Sequence, residues 1–352
     1  MTAKTTERSR QRSATKDQSV LVTGVPGWLG TRLVKRLKAQ QRHVRCLVYP
    51  GHWDASHLGR YPELDGTDVV VGDIRDPDCA ADATRGIHTV FHLAGVRHPS
   101  RTRDLDSINI DGTRSIANAA STAGVSRFVH VSSISVHGHN LGADEPFEES
   151  RTPQPFTAYA RSKMGSEAVV ESMAASGKLD AVILRPGPFY GPAQSASMHR
   201  LMQLVSKKAA PNVDGSQYLR SFLHIDNAVD ALLLAETCRA SRAEPYLIAD
   251  ARPYSLHELV STIADALSTP LRTWDIPRSA ARLCETVGYW VPARTGINPA
   301  SLTMAGEMGR HVFCSISRAR TELGYEPHWS LNDGIRQAAA EFRRGIPGSD
   351  IR

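Results

Sequence analysis

The run Ser19-Val20-Leu21-Val22-Thr23-Gly24-Val25-Pro26-Gly27-Trp28-Leu29-Gly30 joins a short β-type stretch to a turn with evenly spaced glycines. A helix pattern follows at once, with Leu29, Leu33, Val34 and Leu37 apolar and Arg32, Lys35, Arg36 and Lys38 polar. A glycine-rich turn carries meaning where a strand feeds it and a helix leaves it. There Gly24 permits a sharp turn, Gly27 lets backbone approach a pyrophosphate, and Gly30 lets helix and strand pack closely. The helix N-terminus then aims its N–H groups and the positive end of its dipole at the phosphates. The stretch implies a dinucleotide-binding unit.

Working outward, strand patterns recur at 43–49, 68–71, 88–93, 127–132 and 179–184, with helical patterns between most of them, notably 105–123 and 158–175. Such alternation implies an α/β fold built on a doubly wound parallel sheet with right-handed crossovers. Ligands on these sheets bind beyond the carboxyl ends of the strands. The positions to watch are therefore Gly24, Tyr49, Gly72-Asp73, Ala94-Gly95, Ser132-Ser133 and Arg185-Pro186, nearly all small, polar or charged. Beyond Gly191, patterns at 195–208, 226–238, 255–267 and 277–287 read as helices between short strands and loops. The expected organisation is a disordered basic tail (1–18), a dinucleotide-binding region (19–190) and a smaller α+β substrate-binding region (191–345), partly interleaved with the first.

Within the helix pattern at 158–175 lies Tyr159-Ala160-Arg161-Ser162-Lys163. Residues four apart share a helix face, so the phenol and the ammonium project together. A lysine beside a phenol stabilises the phenolate and lowers its pKa toward a useful range for proton transfer. Such pairs also arise on solvated faces, so the remainder of the chain has to supply a site around this one.

Composition excludes several classes. A chain of 352 residues with 41% hydrophobic and 22% charged residues is ordinary for a soluble enzyme. The net charge of +6 is mild, and Lys4, Arg8, Arg10, Arg12 and Lys16 in the tail supply much of it. No basic face with interleaved aromatics points to nucleic acid. The tail lacks the apolar run of a secretory signal, and no apolar stretch approaches a membrane span. The five cysteines (Cys46, Cys79, Cys238, Cys284 and Cys314) are scattered, which argues against disulfides or a zinc site and for a reducing cytoplasm.

Thr23-Gly24-x-x-Gly27-x-x-Gly30 together with Tyr159-x-x-x-Lys163 resembles the extended branch of the short-chain dehydrogenase/reductase superfamily, which includes nucleotide-sugar epimerases and dehydratases and hydroxysteroid-dehydrogenase-like enzymes. Further matches are Gly72-Asp73-Ile74-Arg75-Asp76, Phe91-His92-Leu93-Ala94-Gly95, Asn109-Ile110-Asp111-Gly112-Thr113 and Val131-Ser132-Ser133. Leu184-Arg185-Pro186-Gly187-Pro188-Phe189-Tyr190-Gly191-Pro192, Arg220-Ser221-Phe222-Leu223-His224-Ile225-Asp226 and Glu322-Leu323-Gly324-Tyr325-Glu326-Pro327 extend the likeness over nearly the whole chain.

The resemblance implies a Rossmann-type fold and hydride transfer between a secondary alcohol or ketone and NAD or NADP. It makes Tyr159 the acid/base and has Lys163 lower its pKa and hold the nicotinamide ribose. Ser133, with Ser132 as second choice, would hydrogen-bond the substrate oxygen, and Asn109 would support the lysine through water. Cofactor contacts would come from Gly24, Pro26, Gly27, Trp28, Leu29 and Gly30, then Tyr49, Asp73, Ile74, Leu93, Ala94, Gly95, Tyr159, Lys163 and Pro186. Asp73 would accept from the adenine amino group. At the end of the second strand Val48-Tyr49-Pro50-Gly51-His52 offers neither the acid of an NAD site nor the arginine of an NADP site, and Arg45 and Asp54 lie nearby.

On the substrate side stand Ser133, His137 and Arg220. Arg220 either contacts a diphosphate, for which a guanidinium is suited, or pairs with Asp226 or Asp230. His137 replaces the family's usual tyrosine, a change of the pocket without a physical account from sequence, whereas Trp28 reads as a harmless exchange of aromatic packing. Where 4,6-dehydratases carry Thr-Asp-Glu, this chain has Ser133, Ile134 and Ser135, which disfavours dehydration. The leading expectation is a nucleotide-sugar epimerase. Its rivals are a net dehydrogenase or reductase on a steroid-like or other small substrate, favoured by residues 290–314, and a non-catalytic dinucleotide sensor. A homodimer through the helices at 105–123 and 158–175 is expected by the same resemblance.

Overall fold

The computed structural model of the protein describes residues 19–52, 61–97, 99, 101, 103–193, 196–240, 242–295 and 306–345. The basic tail, Asp54 and residues 296–305 lie outside them. Seven parallel strands form one sheet: β1 (Ser19–Val25), β2 (His43–Val48), β3 (Asp68–Val71), β4 (Thr89–His92), β5 (Arg127–Val131), β6 (Ala181–Pro186) and β7 (Arg242–Ile248). Their order across the sheet is β7-β6-β5-β4-β1-β2-β3. The chain thus runs outward one way from β1 and then the other way from β4. That reversal opens a crevice at the carboxyl ends of β1 and β4, where ligands of doubly wound sheets sit.

The central strands are buried on both faces, which their apolar and β-branched composition permits. On one face lie α1 (Trp28–Ala39) and α6 (Ile225–Thr237), whose Leu33, Val34, Leu37, Ala228, Val229 and Leu232 join the strand residues in one core. The opposite face carries α2 (Pro77–Thr84), α3 (103–122) and α4 (Ala158–Ala175), with Ala83, Ile116, Ala120 and Val170 packed beneath. A ladder of Arg32–Asp226 (2.6 Å), Arg36–Asp230 (2.9 Å) and Arg42–Glu236 (2.7 Å) pins α1 to α6 and so ties the two halves of the chain.

A third core gathers α5 (Ala196–Ser206), α7 (Leu256–Ala266) and α9 (Leu331–Arg343) around Met202, Leu259, Ile263 and Ile335. Between α7 and α9, α8 (Arg278–Thr295) runs well beyond the 277–287 expected. Two elements were not anticipated: β7, which pairs with β6, and the C-terminal helix α9. Among the described residues no helix is long and apolar enough to cross a membrane.

Candidate functional site

The glycine turn is shaped by contacts that exclude side chains. Gly24 adopts φ +81°, and a β-carbon there would stand 2.7 Å from the Leu93 carbonyl carbon. One on Gly27 would stand 2.6 Å from the Gly24 carbonyl oxygen, which instead accepts from the Gly27 N–H at 3.0 Å. Gly27 caps α1 without a side-chain hydrogen bond, and the first turn of α1 holds no acidic residue. The helix N-terminus therefore keeps its positive end for an anion. Thr23 fixes the neighbouring strand end, its Oγ1 accepting from the N–H groups of Leu93 (3.2 Å) and Ala94 (3.1 Å).

Beyond the strand ends lies a cavity of about 700 Å3. Gly24, Gly27, Trp28, Leu29, Gly30, Tyr49, Asp73, Ile74, Leu93, Ala94, Gly95, Ser133, Tyr159, Lys163, Pro186 and Arg220 all line it. Pro26, Asn109 and His137 do not. Trp28 does more than pack: its indole N–H donates to the Pro192 carbonyl at 2.9 Å, fastening the turn to the start of the second half.

Helix α4 begins with Thr157, whose Oγ1 accepts from the Ala160 N–H at 3.1 Å. One turn in, Tyr159 and Lys163 face the cavity together. Burial raises the Tyr159 pKa above its ordinary value, opposed by the Arg97 cation and by a hydrogen bond with Ser133. Arg97, which the sequence reading did not single out, thus brings a second cation to the phenol beside the Lys163 of the same helix face. Lys163 is only 4% exposed, and burial pulls its pKa from 10.5 to about 8, against a weaker upward pull from Glu167. Ser133 Oγ accepts from the Ser135 N–H (3.2 Å) and hydroxyl (2.9 Å).

Asn109 sits in a π-helical turn, Ser107–Asp111, that interrupts α3, a local widening often found at functional sites. Its side chain is spent locally. Nδ2 donates to the Val96 carbonyl and to Ser162 Oγ, both at 2.9 Å, while Oδ1 accepts from the Val96 N–H at 2.8 Å. Asn109 thereby clamps the loop after β4 against α4, next to Gly95 and Lys163, instead of reaching into the cavity.

His137 is drawn to the other side of the wall. Its Nε2 accepts from Arg185 Nη1 at 3.0 Å, and its ring stacks on Phe147 with centroids 5.1 Å apart. Burial and the Arg185 and Arg151 cations push its pKa down to about 3, so the ring stays neutral. Arg185 also forms a fork with the Glu167 carboxylate at 2.9 and 2.6 Å, and both side chains are almost fully buried. His137 therefore completes a buried support under α4 and does not line the cavity, where sequence had placed it on the substrate side.

At the far end, Asp73 accepts the Arg75 backbone N–H (2.9 Å) and its guanidinium (2.5 Å), which holds the carboxyl below its ordinary range. Arg75 lines the cavity near Tyr49, whereas Arg45 turns away to Asp68 (2.6 Å) and to the carbonyls of Ala83 and Arg85. Arg220 is half-buried and donates to the Glu307 backbone carbonyl. Its alternative partners Asp226 and Asp230 belong to Arg32 and Arg36, so the pairing considered from sequence does not form. Sequence reading passed over Arg75 and Arg97, which sit two residues beyond marked strand-end positions, and Phe156 and Phe189 in the apolar wall.

The model of the NAD dependent epimerase/dehydratase family matches residues 20–249. A UDP-glucose 4-epimerase of Vibrio cholerae is 28% identical over 335 residues, covering 92% of this chain and 95% of that one. A 3 beta-hydroxysteroid dehydrogenase/Delta 5-->4-isomerase of Mycobacterium tuberculosis is 28% identical over 351 residues, covering 90% and 88%. Among solved structures, the UDP-glucose 4-epimerase of Thermotoga maritima with UDP-glucose superposes with a TM-score of 0.74 at 20% identity, covering 93% and 99%, a likeness of fold.

Proposed function

The chain belongs to the NAD dependent epimerase/dehydratase family, and on that premise we propose that it is a nucleotide-sugar epimerase that inverts a secondary alcohol of a hexose through its ketone. The observation that carries this reading is the convergence of Tyr159, Ser133 and Lys163 with Arg220 in one cavity, where among the described residues no carboxylate side chain engages the Arg220 guanidinium at hydrogen-bond distance. The Vibrio cholerae relative bears the corresponding name.

The residues present fit NAD, the cofactor of the family. The turn around Gly24 and Gly27 leaves room for a pyrophosphate beside the uncapped start of α1. Lys163 brings a buried ammonium with no hydrogen bond among the described residues, a donor set for ribose hydroxyls. Asp73 and Tyr49 would flank the adenosine. When bound, NAD supplies a hydride acceptor and donor at the tyrosine end.

Tyr159 removes the hydroxyl proton of the substrate as the carbon is oxidised, and returns it when the ketone is reduced from its other face. Ser133 hydrogen-bonds the same oxygen, and Arg97 over the Tyr159 ring favours the phenolate. Arg220 grips the diphosphate while the sugar turns over, since a guanidinium holds phosphate oxygens by two parallel bonds. No carboxylate occurs among Ser133, Ile134 and Ser135 to eliminate water, so 4,6-dehydration is not part of this proposal.

Incubation with UDP- or dTDP-hexoses should yield epimers with no net NADH. Stoichiometric NADH from an alcohol, or its consumption by a ketone, overturns the epimerase reading. It would favour a net dehydrogenase instead, which the apolar wall of Val96, Phe156, Phe189 and Val312 and the Mycobacterium tuberculosis relative support. A homodimer through α3 and α4 belongs to the same proposal, and a monomer by light scattering at micromolar concentration would reject it.

A further inference from the structure

Arg97 reaches the cavity from the loop that Asn109 clamps through Val96. Its guanidinium carbon stands 5.8 Å from the centre of the Tyr159 ring. Two carboxylates line the cavity among the described residues. Asp73 is held by Arg75 at the far end, and Glu307 adjoins Arg220. Arg97 is an exposed residue that reaches the cavity with its guanidinium, where it has an aromatic face and no counter-ion among the described residues. A guanidinium so placed in a partly enclosed cavity is a bidentate receptor for carboxylate or phosphate oxygens.

Its position relative to Tyr159 decides between them. Tyr159 has to hydrogen-bond the oxygen on the reacting carbon, so any group that touches Arg97 is carried close to that carbon. In a nucleotide-linked hexose reacting at C4, the diphosphate hangs from C1 on the opposite side of the ring. The C6 substituent hangs from C5, next to C4. Resting on the nucleotide-sugar reading above, we propose that Arg97 binds a carboxylate at C6, so that the preferred substrate is a nucleotide-linked hexuronate and not the neutral hexose. A hydroxymethyl group at C6 would leave the guanidinium without its anion as the substrate displaces water, which penalises the neutral sugar. Arg97 then sets specificity, and Asn109 is the positioning residue that holds its loop.

The test is kcat/KM for UDP-glucuronate and UDP-glucose, followed by NMR, in the wild type, Arg97→Met and Arg97→Lys, with a thermal melt to show that each protein is folded. The wild type should favour the uronate. Arg97→Met should lower the uronate-to-glucose ratio by about a hundredfold, the scale of a lost charged hydrogen bond. A fall in kcat shared by both sugars is expected from the loss of the cation over Tyr159; the additional loss on the uronate should fall mainly on KM, and Arg97→Lys should recover part of it. A wild-type ratio near one, or a ratio that Arg97→Met leaves unchanged because both sugars lose equally, overturns the proposal. Should the wild type turn over neither sugar, it is the epimerase reading that fails. The seat is then decided by calorimetric titration with D-glucuronate against D-glucose: a preference for the uronate that Arg97→Met abolishes sustains it, and no preference overturns it.

Discussion

Replacing Lys163 by methionine should make the cofactor-free protein more stable while destroying its function. The ammonium is 4% exposed, and burial draws its pKa from 10.5 to about 8. At about 1.4 kcal/mol per factor of ten, that fall corresponds to about 3 kcal/mol spent on holding a charged lysine in the fold. Methionine keeps most of the apolar stem and removes the charge, and replacing buried charge by packed apolar groups is often stabilising. The pH dependence follows from the direction of the shift. Below pH 8 the lysine is protonated in both folded and unfolded chains, so the penalty is fully present and the variant leads by its whole margin. Between about 8 and 10.5 the folded lysine has lost its proton while the unfolded one keeps it, and wild-type stability rises toward that of the variant. Urea denaturation of both proteins, freed of nucleotide, at pH 7 and pH 10 measures the effect. Adding NAD should then stabilise the wild type far more than the variant, because the ammonium gains its acceptors only from the ribose. A variant less stable than wild type at pH 7 would refute the reasoning, since it would mean that Lys163 is already partnered in the free protein.

Gly27→Ala should weaken NAD binding by at least about tenfold, because a β-carbon 2.6 Å from the Gly24 carbonyl oxygen forces the turn apart; calorimetric titration with NAD checks this, and unchanged affinity would count against the phosphate cradle. Glu167→Ala should cost about 3–5 kcal/mol in urea denaturation, because it strands the buried Arg185 guanidinium beside a neutral His137. The double replacement Glu167→Leu with Arg185→Met should recover most of that loss, and a double variant as unstable as the single would show that the pair is not the source.

The β/α frame was legible because its signals are local. Val20, Leu21 and Val22 ahead of Gly24, and the stripe Leu29, Leu33, Val34 and Leu37, each declare an element within a dozen residues. Strand ends then pointed to the cavity, since sheet topology forces them to one edge. β7 hid because Arg242-Ala243-Glu244-Pro245 looks like a loop, and only pairing with the already buried β6 makes it a strand. α9 carried a readable start, Ser330 with Asp333 in a reciprocal cap, but its apolar stripe leans on small residues such as Ala338 and Ala339.

In the site, Tyr159 and Lys163 were legible from their spacing on one helix face. The electrostatics around them were not. That Arg97 also bears on the phenol, and whether Arg220 or Arg32 takes Asp226, depends on which side chains distant parts of the chain bring together. His137 was the least legible of all. It occupies a motif position that suggested the pocket, yet Arg185 and Phe147, distant in sequence, turn its ring into the wall.

The most direct test of the acid/base role is the rate of C4 inversion on a nucleotide sugar, followed by NMR, for Tyr159→Phe and wild type at matched NAD occupancy. Removing the phenolic oxygen deletes the proton carrier, and a positioned general acid/base contributes about 10²–10⁴-fold. The account predicts a fall of about a thousandfold in kcat with NAD binding retained. Turnover by Tyr159→Phe at the wild-type rate would contradict it.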